Sequence, residues 1–301
     1  MKVFVTGGTG YIGQAVALRL KKAGHEVLAL VRSKDSAADL AKAQIKLVQG
    51  EMSNPGGYAA SAYGCAAVVH CASQMAEGGV ELDKRTLTAA RDLLRGQVGA
   101  TLVYTSGCWV YGDTGDTVSD ETTELKPAKI VGWRPAHEKL ALEAAKDGIR
   151  STVVRPGIVY GGAKGGIAAG FFDSALKGGA AQVIGDGRNR WPMVHVDDLA
   201  ELYVRLVERA PAGSIFNATD PSRLTVKEIA TASSRAAGKG GEVSFVPVDQ
   251  ARAKMGVFAD ALCLEQRLSS EKAQNELDWR PRHVDFTVEA EPLFAAWKAG
   301  H

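Results

Sequence analysis

Cysteine is scarce in this 301-residue chain: Cys65, Cys71, Cys108 and Cys263 are the four, and no two form a CxxC pair. A disulfide frame or a zinc site is therefore not expected; reduced thiols in a cytoplasmic protein are. An excess of either charge is missing too, with 36 Lys and Arg against 34 Asp and Glu leaving a formal net charge of +2. No dense basic tract stands out, which argues against a nucleic-acid partner. No apolar run approaches roughly 18 residues, so no membrane span is expected. The opening residues 1–6 are too short an apolar run for a signal peptide and lead straight into glycines. Internal repeats and low-complexity tails are absent.

What is there is alternation. Short apolar runs at 2–6, 26–31, 45–49, 66–71, 101–106 and 151–155 are separated by segments, such as 14–23, with apolar residues at helical spacing. Strands alternating with helices imply βαβ units and a parallel sheet. The expected fold class is α/β, a doubly wound Rossmann sheet with helices on both faces and a smaller C-terminal substrate lobe. Residues 1–165 form the dinucleotide domain, and 193–220 return to it: 193–196 as a strand edge, 199–208 as a helix, 214–217 as a strand. Residues 166–192 and 221–301 form the second lobe, mostly helical with one strand near 243–246. The run Gly161-Gly162-Ala163-Lys164-Gly165-Gly166 reads as a flexible crossing between the lobes.

The first run ends in Thr6-Gly7-Gly8-Thr9-Gly10-Tyr11-Ile12-Gly13. Glycines between a strand and a helix permit a tight turn and let backbone N–H groups approach a pyrophosphate. An NAD-type site places an acid at the end of the second strand, to hold the ribose 2′-OH. Here that strand ends Leu30-Val31-Arg32, with Val31 at the acid's place and a guanidinium following it. Arg32 suits a 2′-phosphate, so NADP is expected rather than NAD; a solvated surface charge is the other reading.

These residues resemble the extended short-chain dehydrogenase/reductases, also called NAD-dependent epimerase/dehydratases. The opening loop is similar to that family's TGGxGxIG. Val69-His70-Cys71-Ala72-Ser73 looks like its fourth-strand motif, against the adenosine and pyrophosphate. The segment from Val103 through Thr105, Ser106, Gly107, Cys108 and Trp109 to Val110-Tyr111-Gly112 looks like its fifth-strand motif. Val154-Arg155-Pro156-Gly157-Ile158-Val159-Tyr160-Gly161 resembles RPxxVYG beside the nicotinamide. Val194-His195-Val196-Asp197-Asp198-Leu199-Ala200 is similar to VHVDDLA, and Glu276-Leu277-Asp278-Trp279-Arg280-Pro281 to a late LGWxP. Gly50-Glu51-Met52 stands where the family has Gly-Asp-Leu next to adenine, and Glu51 can still accept from the amino group. The resemblance implies that Asp197, Asp198 and His195 are scaffold.

The resemblance also implies a Ser, Tyr and Lys that assist hydride transfer by acid/base chemistry. Lys139-Leu-x-x-Glu143 fits the Lys half of that motif, with Lys139 holding the nicotinamide ribose. Counting back four places lands on Pro135, and the Ser place lands on Gly107, with Ser106 one residue earlier. Three explanations stay open. A shifted acid supplies the proton, with His137, Tyr111 and Tyr160 as candidates. The reaction needs no strong protein acid, as in reduction of a protonated imine or a C=C bond. Or the chemistry is lost, leaving an NADP-binding regulator.

Candidate substrate-pocket residues are 73–77, Cys108, Trp109, Trp133, Arg134, Phe171, Phe172 and the run Arg188-Asn189-Arg190-Trp191. The tryptophans offer flat walls, and Arg134 and Arg190 a grip on a carboxylate or phosphate; equally, the aromatics pack the seam and the arginines are solvated. The leading expectation is an NADP(H)-dependent oxidoreductase acting on a small carbonyl, imine or activated double bond. A nucleotide-sugar epimerase or dehydratase with a displaced acid is the alternative enzyme. The resemblance makes a homodimer through the helices near 83–94 and 135–145 a fair expectation.

Overall fold

The computed structural model describes residues 1–74 and 77–301. Its centre is a seven-stranded sheet. The strands β1 (Lys2–Thr6), β2 (Glu26–Val31), β3 (Lys46–Gln49), β4 (Ala67–His70) and β5 (Thr101–Thr105) are joined by Arg150–Pro156 and Ser214–Ala218. The spatial order is Ser214–Ala218, Arg150–Pro156, β5, β4, β1, β2, β3, parallel throughout. The order reverses at β1/β4, and the carboxyl edge there is where a ligand crevice opens in a doubly wound sheet.

Both faces of the strands are apolar, as a parallel sheet covered on each side requires. Val3, Val5, Ala29 and Val69 face α1 (Tyr11–Lys22) and the helix Val196–Arg209. Phe4, Leu28, Val68 and Leu102 face the other way, against α3 (Gly56–Ala62), α4 (Gly79–Leu94) and α5 (Arg134–Leu142); a short α2 (Ala38–Lys42) precedes β3. The doubly wound α/β sheet expected from the sequence is therefore present.

Residues 193–196 depart from expectation. Met193–His195 does not join the main sheet but pairs in parallel with Ile158–Gly161, which in turn pairs with Gly165–Gly166. The chain leaves the main sheet at Gly157, whose N–H donates to the Ala218 carbonyl at 2.9 Å. A Cβ on Gly157 would lie 2.2 Å from the Pro192 carbonyl, so strands can cross there only without a side chain. A separate apolar core, including Phe171, Phe172, Trp191, Phe286 and Trp297, fills the second lobe, where Ala181–Ile184 pairs with Val243–Val246. Among the described residues, no helix is long and apolar enough to cross a membrane.

Candidate active site

The phosphate loop is built by glycine. Gly7 has φ +71°, and a Cβ on it would approach Ala72 Cα to 2.8 Å. On Gly13 a Cβ would lie 2.2 Å from the Gly7 carbonyl oxygen. Gly10 is the N-cap of α1, and no side chain caps the first turn. Its amides at Tyr11 and Ile12, with the positive end of the helix, are left for an anion. This bare, glycine-lined turn fits a dinucleotide pyrophosphate, with Thr9 beside it. Thr6 Oγ1 binds His70 Nδ1 at 2.7 Å and accepts from Ala72 N at 3.4 Å, tying the ends of β1 and β4 together.

The remaining cofactor candidates lie along the same edge. Arg32 is exposed at the end of β2 and makes no ion pair among the described residues. Glu51 is exposed and accepts from Ser53 Oγ at 3.1 Å, beside half-buried Met52. Burial pushes the Cys71 thiol up to about 11; Thr105 Oγ1 donates to it at 3.5 Å and bonds Tyr203 OH at 2.5 Å. Pro156 and Gly157 are buried at the strand crossing.

The helix α5 brings together a polar cluster. Pro135 in its first turn costs no hydrogen bond there. Its buried polar side chains are Arg134, His137 and Glu138. Arg134 lies over Trp133, 4.6 Å from the ring centroid. Its Nη1 donates to the Thr105 carbonyl at 2.8 Å and Tyr104 OH at 3.3 Å, and its Nη2 to Ser73 Oγ at 3.3 Å. The guanidinium thus spans the carboxyl ends of β4 and β5. His137 Nδ1 is 2.7 Å from Asp83 Oδ2, Tyr104 OH donates to the same oxygen at 2.8 Å, and His70 Nε2 lies 3.4 Å from Oδ1. Burial works against the Asp83 charge. The hydrogen bond from His137, the nearby His70 ring and the Arg134 charge outweigh it and hold the carboxyl well below the usual range. Behind this cluster Glu138 takes a bidentate grip from Arg155, at 3.0 and 2.6 Å.

Several expectations are corrected here. Lys139 is exposed and lines an outer surface groove with Pro135, Leu142 and Ile215, not the crevice. The inward pair at four-residue spacing is Arg134–Glu138. Among the described residues, Ser106 is buried with an unpartnered Oγ, whereas a Cβ on Gly107 would meet nothing within 4 Å. Tyr111 OH donates to Asn217 and accepts from Arg155, and Tyr160 is fully buried against Phe286, so both are packed away. Trp191 is core: it stacks on Phe171 and donates to the Leu262 carbonyl. Arg190 pairs with Glu265 and donates to the Arg223 carbonyl, leaving no free anion grip. Trp109 is half-buried edge-on to Phe258. Of the expected pocket segment 73–77, Met75 and Ala76 lie outside the described residues. His195 and Asp198 have local partners: His195 accepts from Asp197 N, and Asp198 from the amides of Arg282 and His283.

Asp83 and His70 escaped the sequence reading as site residues. A signal for Asp83 was present: it is a lone acid on the stripe Asp83, Thr86, Leu87, Ala90, Leu94 that α4 buries.

Comparison with known proteins places the chain. The profile of the NAD dependent epimerase/dehydratase family matches residues 3–219. The chain belongs to that family. It is 31% identical over 290 residues to the uncharacterized protein C2A9.02 of Schizosaccharomyces pombe, covering 94% of this chain and 96% of the other. It is 26% identical over 287 residues to vestitone reductase of Medicago sativa, covering 83% and 84%. In fold it superposes on the UDP-glucose 4-epimerase of Thermotoga maritima, solved with UDP-glucose, with a TM-score of 0.85, 20% identity and 99% of both chains covered.

Proposed function

We propose that the protein is an NADP(H)-dependent oxidoreductase of a small carbonyl, imine or activated double bond, in which His137, held by Asp83, stands in for the missing tyrosine. The observation that carries this reading is the buried 2.7 Å contact between His137 Nδ1 and Asp83 Oδ2, on the face of α5 that also sends Arg134 to the crevice. The glycine loop and α1 amides would hold the pyrophosphate, and Arg32 the 2′-phosphate. A bound nicotinamide supplies or takes the hydride.

The side chains do the rest. An ionised Asp83 requires the proton on His137 Nδ1, which leaves Nε2 to bind or release the working proton. The carboxylate steadies the imidazolium and fixes the ring, as the acid of a triad does. Arg134, with no ion-pair partner among the described residues, would donate to a developing oxyanion. This reading is preferred over sugar epimerisation because the inward pair of α5, Arg134 and Glu138, and Gly107 offer no hydroxyl where removal of a sugar proton would need one.

The test is NADPH oxidation over a panel of carbonyls, imines and enones. His137→Gln should lower kcat by about a hundredfold or more while leaving NADPH affinity unchanged. A variant keeping full rate at pH 7 rules His137 out. NADPH should bind about tenfold tighter than NADH, with Arg32→Ala erasing the preference. A panel that leaves NADPH unconsumed would favour the NADP-binding regulator.

A further inference from the structure

The glycine-rich crossing after Tyr160 is not a loose linker. Tyr11, within the phosphate loop, donates its hydroxyl to the Gly161 carbonyl at 2.7 Å. Lys164 Nζ donates to the Thr9 carbonyl of the same loop at 2.7 Å. Four glycines in the segment (161, 162, 165 and 166) have positive φ. At Gly166 a Cβ would lie 2.8 Å from the Tyr11 ring, so only glycine lets the crossing lie this close.

The result is an ammonium group brought from the inter-lobe crossing to the rim of the phosphate loop. Lys164 makes no ion pair among the described residues, and Asp39 acts on it only at a distance. Burial lowers its pKa without a carboxylate to reverse the shift. It borders a cleft of about 680 Å³, which gives the side chain room to swing off Thr9. Asp39 belongs to α2, Gln14 of α1 donates to it at 3.1 Å, and both border the same cleft as Lys164.

We infer that Lys164 is a phosphate-binding residue of the dinucleotide site, reaching over the Thr9–Tyr11 turn from the inter-lobe crossing to a cofactor phosphate. The inference rests on the dinucleotide reading above. The phosphate is either the diphosphate shared by both cofactors or the 2′-phosphate of NADP, and binding measurements separate the two. A closing contact of this kind also ties cofactor occupancy to the position of the crossing, which Tyr11 alone would then hold more weakly.

The experiment is fluorescence titration of NADPH and NADH into the wild-type chain, Lys164→Met and Lys164→Arg at two salt concentrations, with unliganded melting temperatures as a check on folding. Lys164→Met should melt like the wild type and bind about fivefold more weakly, with Lys164→Arg restoring most of the loss. A loss shared by both nucleotides assigns the contact to the diphosphate; a loss confined to NADPH assigns it to the 2′-phosphate. The salt dependence of the affected affinity should shrink in Lys164→Met. Unchanged affinity for both nucleotides overturns the inference. Wild-type protein that binds NADPH and NADH equally sinks the Arg32 preference alone, because the Lys164 comparison still reads through the diphosphate. Wild type that binds neither overturns both.

Discussion

Two helix first turns meet at this crevice, and they are built in opposite ways. The first turn of α1 works through its backbone: Gly7, Gly10 and Gly13 remove side chains so that amides can face a ligand. The first turn of α5 works through side chains: Arg134, His137 and Glu138 are buried and tied to β5, α4 and the strand Arg150–Pro156. A site made of backbone is specified by where side chains are missing. A site made of side chains is specified by which way the helix is turned.

Breaking the α5 anchor should have the largest effect. Arg155→Met leaves Glu138 buried without its partner and should cost about 3–5 kcal/mol in urea unfolding, with the crevice lost as α5 shifts. Stability close to wild type would mean that α5 is positioned by apolar packing alone. On the α1 side, Gly13→Ala forces a Cβ against the Gly7 carbonyl. It should cost about 2–3 kcal/mol and remove dinucleotide binding in the same titration.

Acid sharpens the comparison. The folded-state pKa of Asp83 is lowered, so its stabilising contribution is present above the ordinary carboxylate value of about 4 and is lost as the pH falls below it. Asp83→Asn should be less stable than wild type at pH 7, and the gap should close below about pH 4. A gap independent of pH would place the effect in packing rather than in charge. The smallest effect belongs to Lys139→Ala, expected within about 0.5 kcal/mol and without change in dinucleotide affinity, since the side chain is exposed on the outer groove. Weakened cofactor binding in that variant would return Lys139 to the crevice.

The same contrast explains what could be read from the sequence. The β1–α1 unit was legible because glycine spacing and two-residue alternation are local signals. The seven strands of the main sheet followed within a residue or two; the segment 193–195 did not, because its pairing depends on a crossing at Gly157 that no periodicity marks. On α5 the motif count placed Lys139 inward. One residue is about 100° of rotation on a helix, so an offset of one between motif and packing turns the side chain to the outer surface. The buried choice was made by Arg155, which holds Glu138 from a strand that sequence spacing cannot connect to it. Arg134 was legible as a candidate, whereas its neighbours Asp83 and Tyr104 become partners only when α4 and β5 are packed.

The open space at Gly107 has a practical consequence. Burial raises the pKa of all four native thiols, Cys71 to about 11 and Cys108 to about 12, so they are poor nucleophiles at neutral pH. Gly107→Cys would place a fifth sulfur at a point where, among the described residues, no atom lies within 4 Å of the added Cβ. Disulfide exchange with a library of small thiol-bearing fragments would then report, by intact mass, which chemical shapes the crevice retains, and so screen for the substrate before any turnover is known.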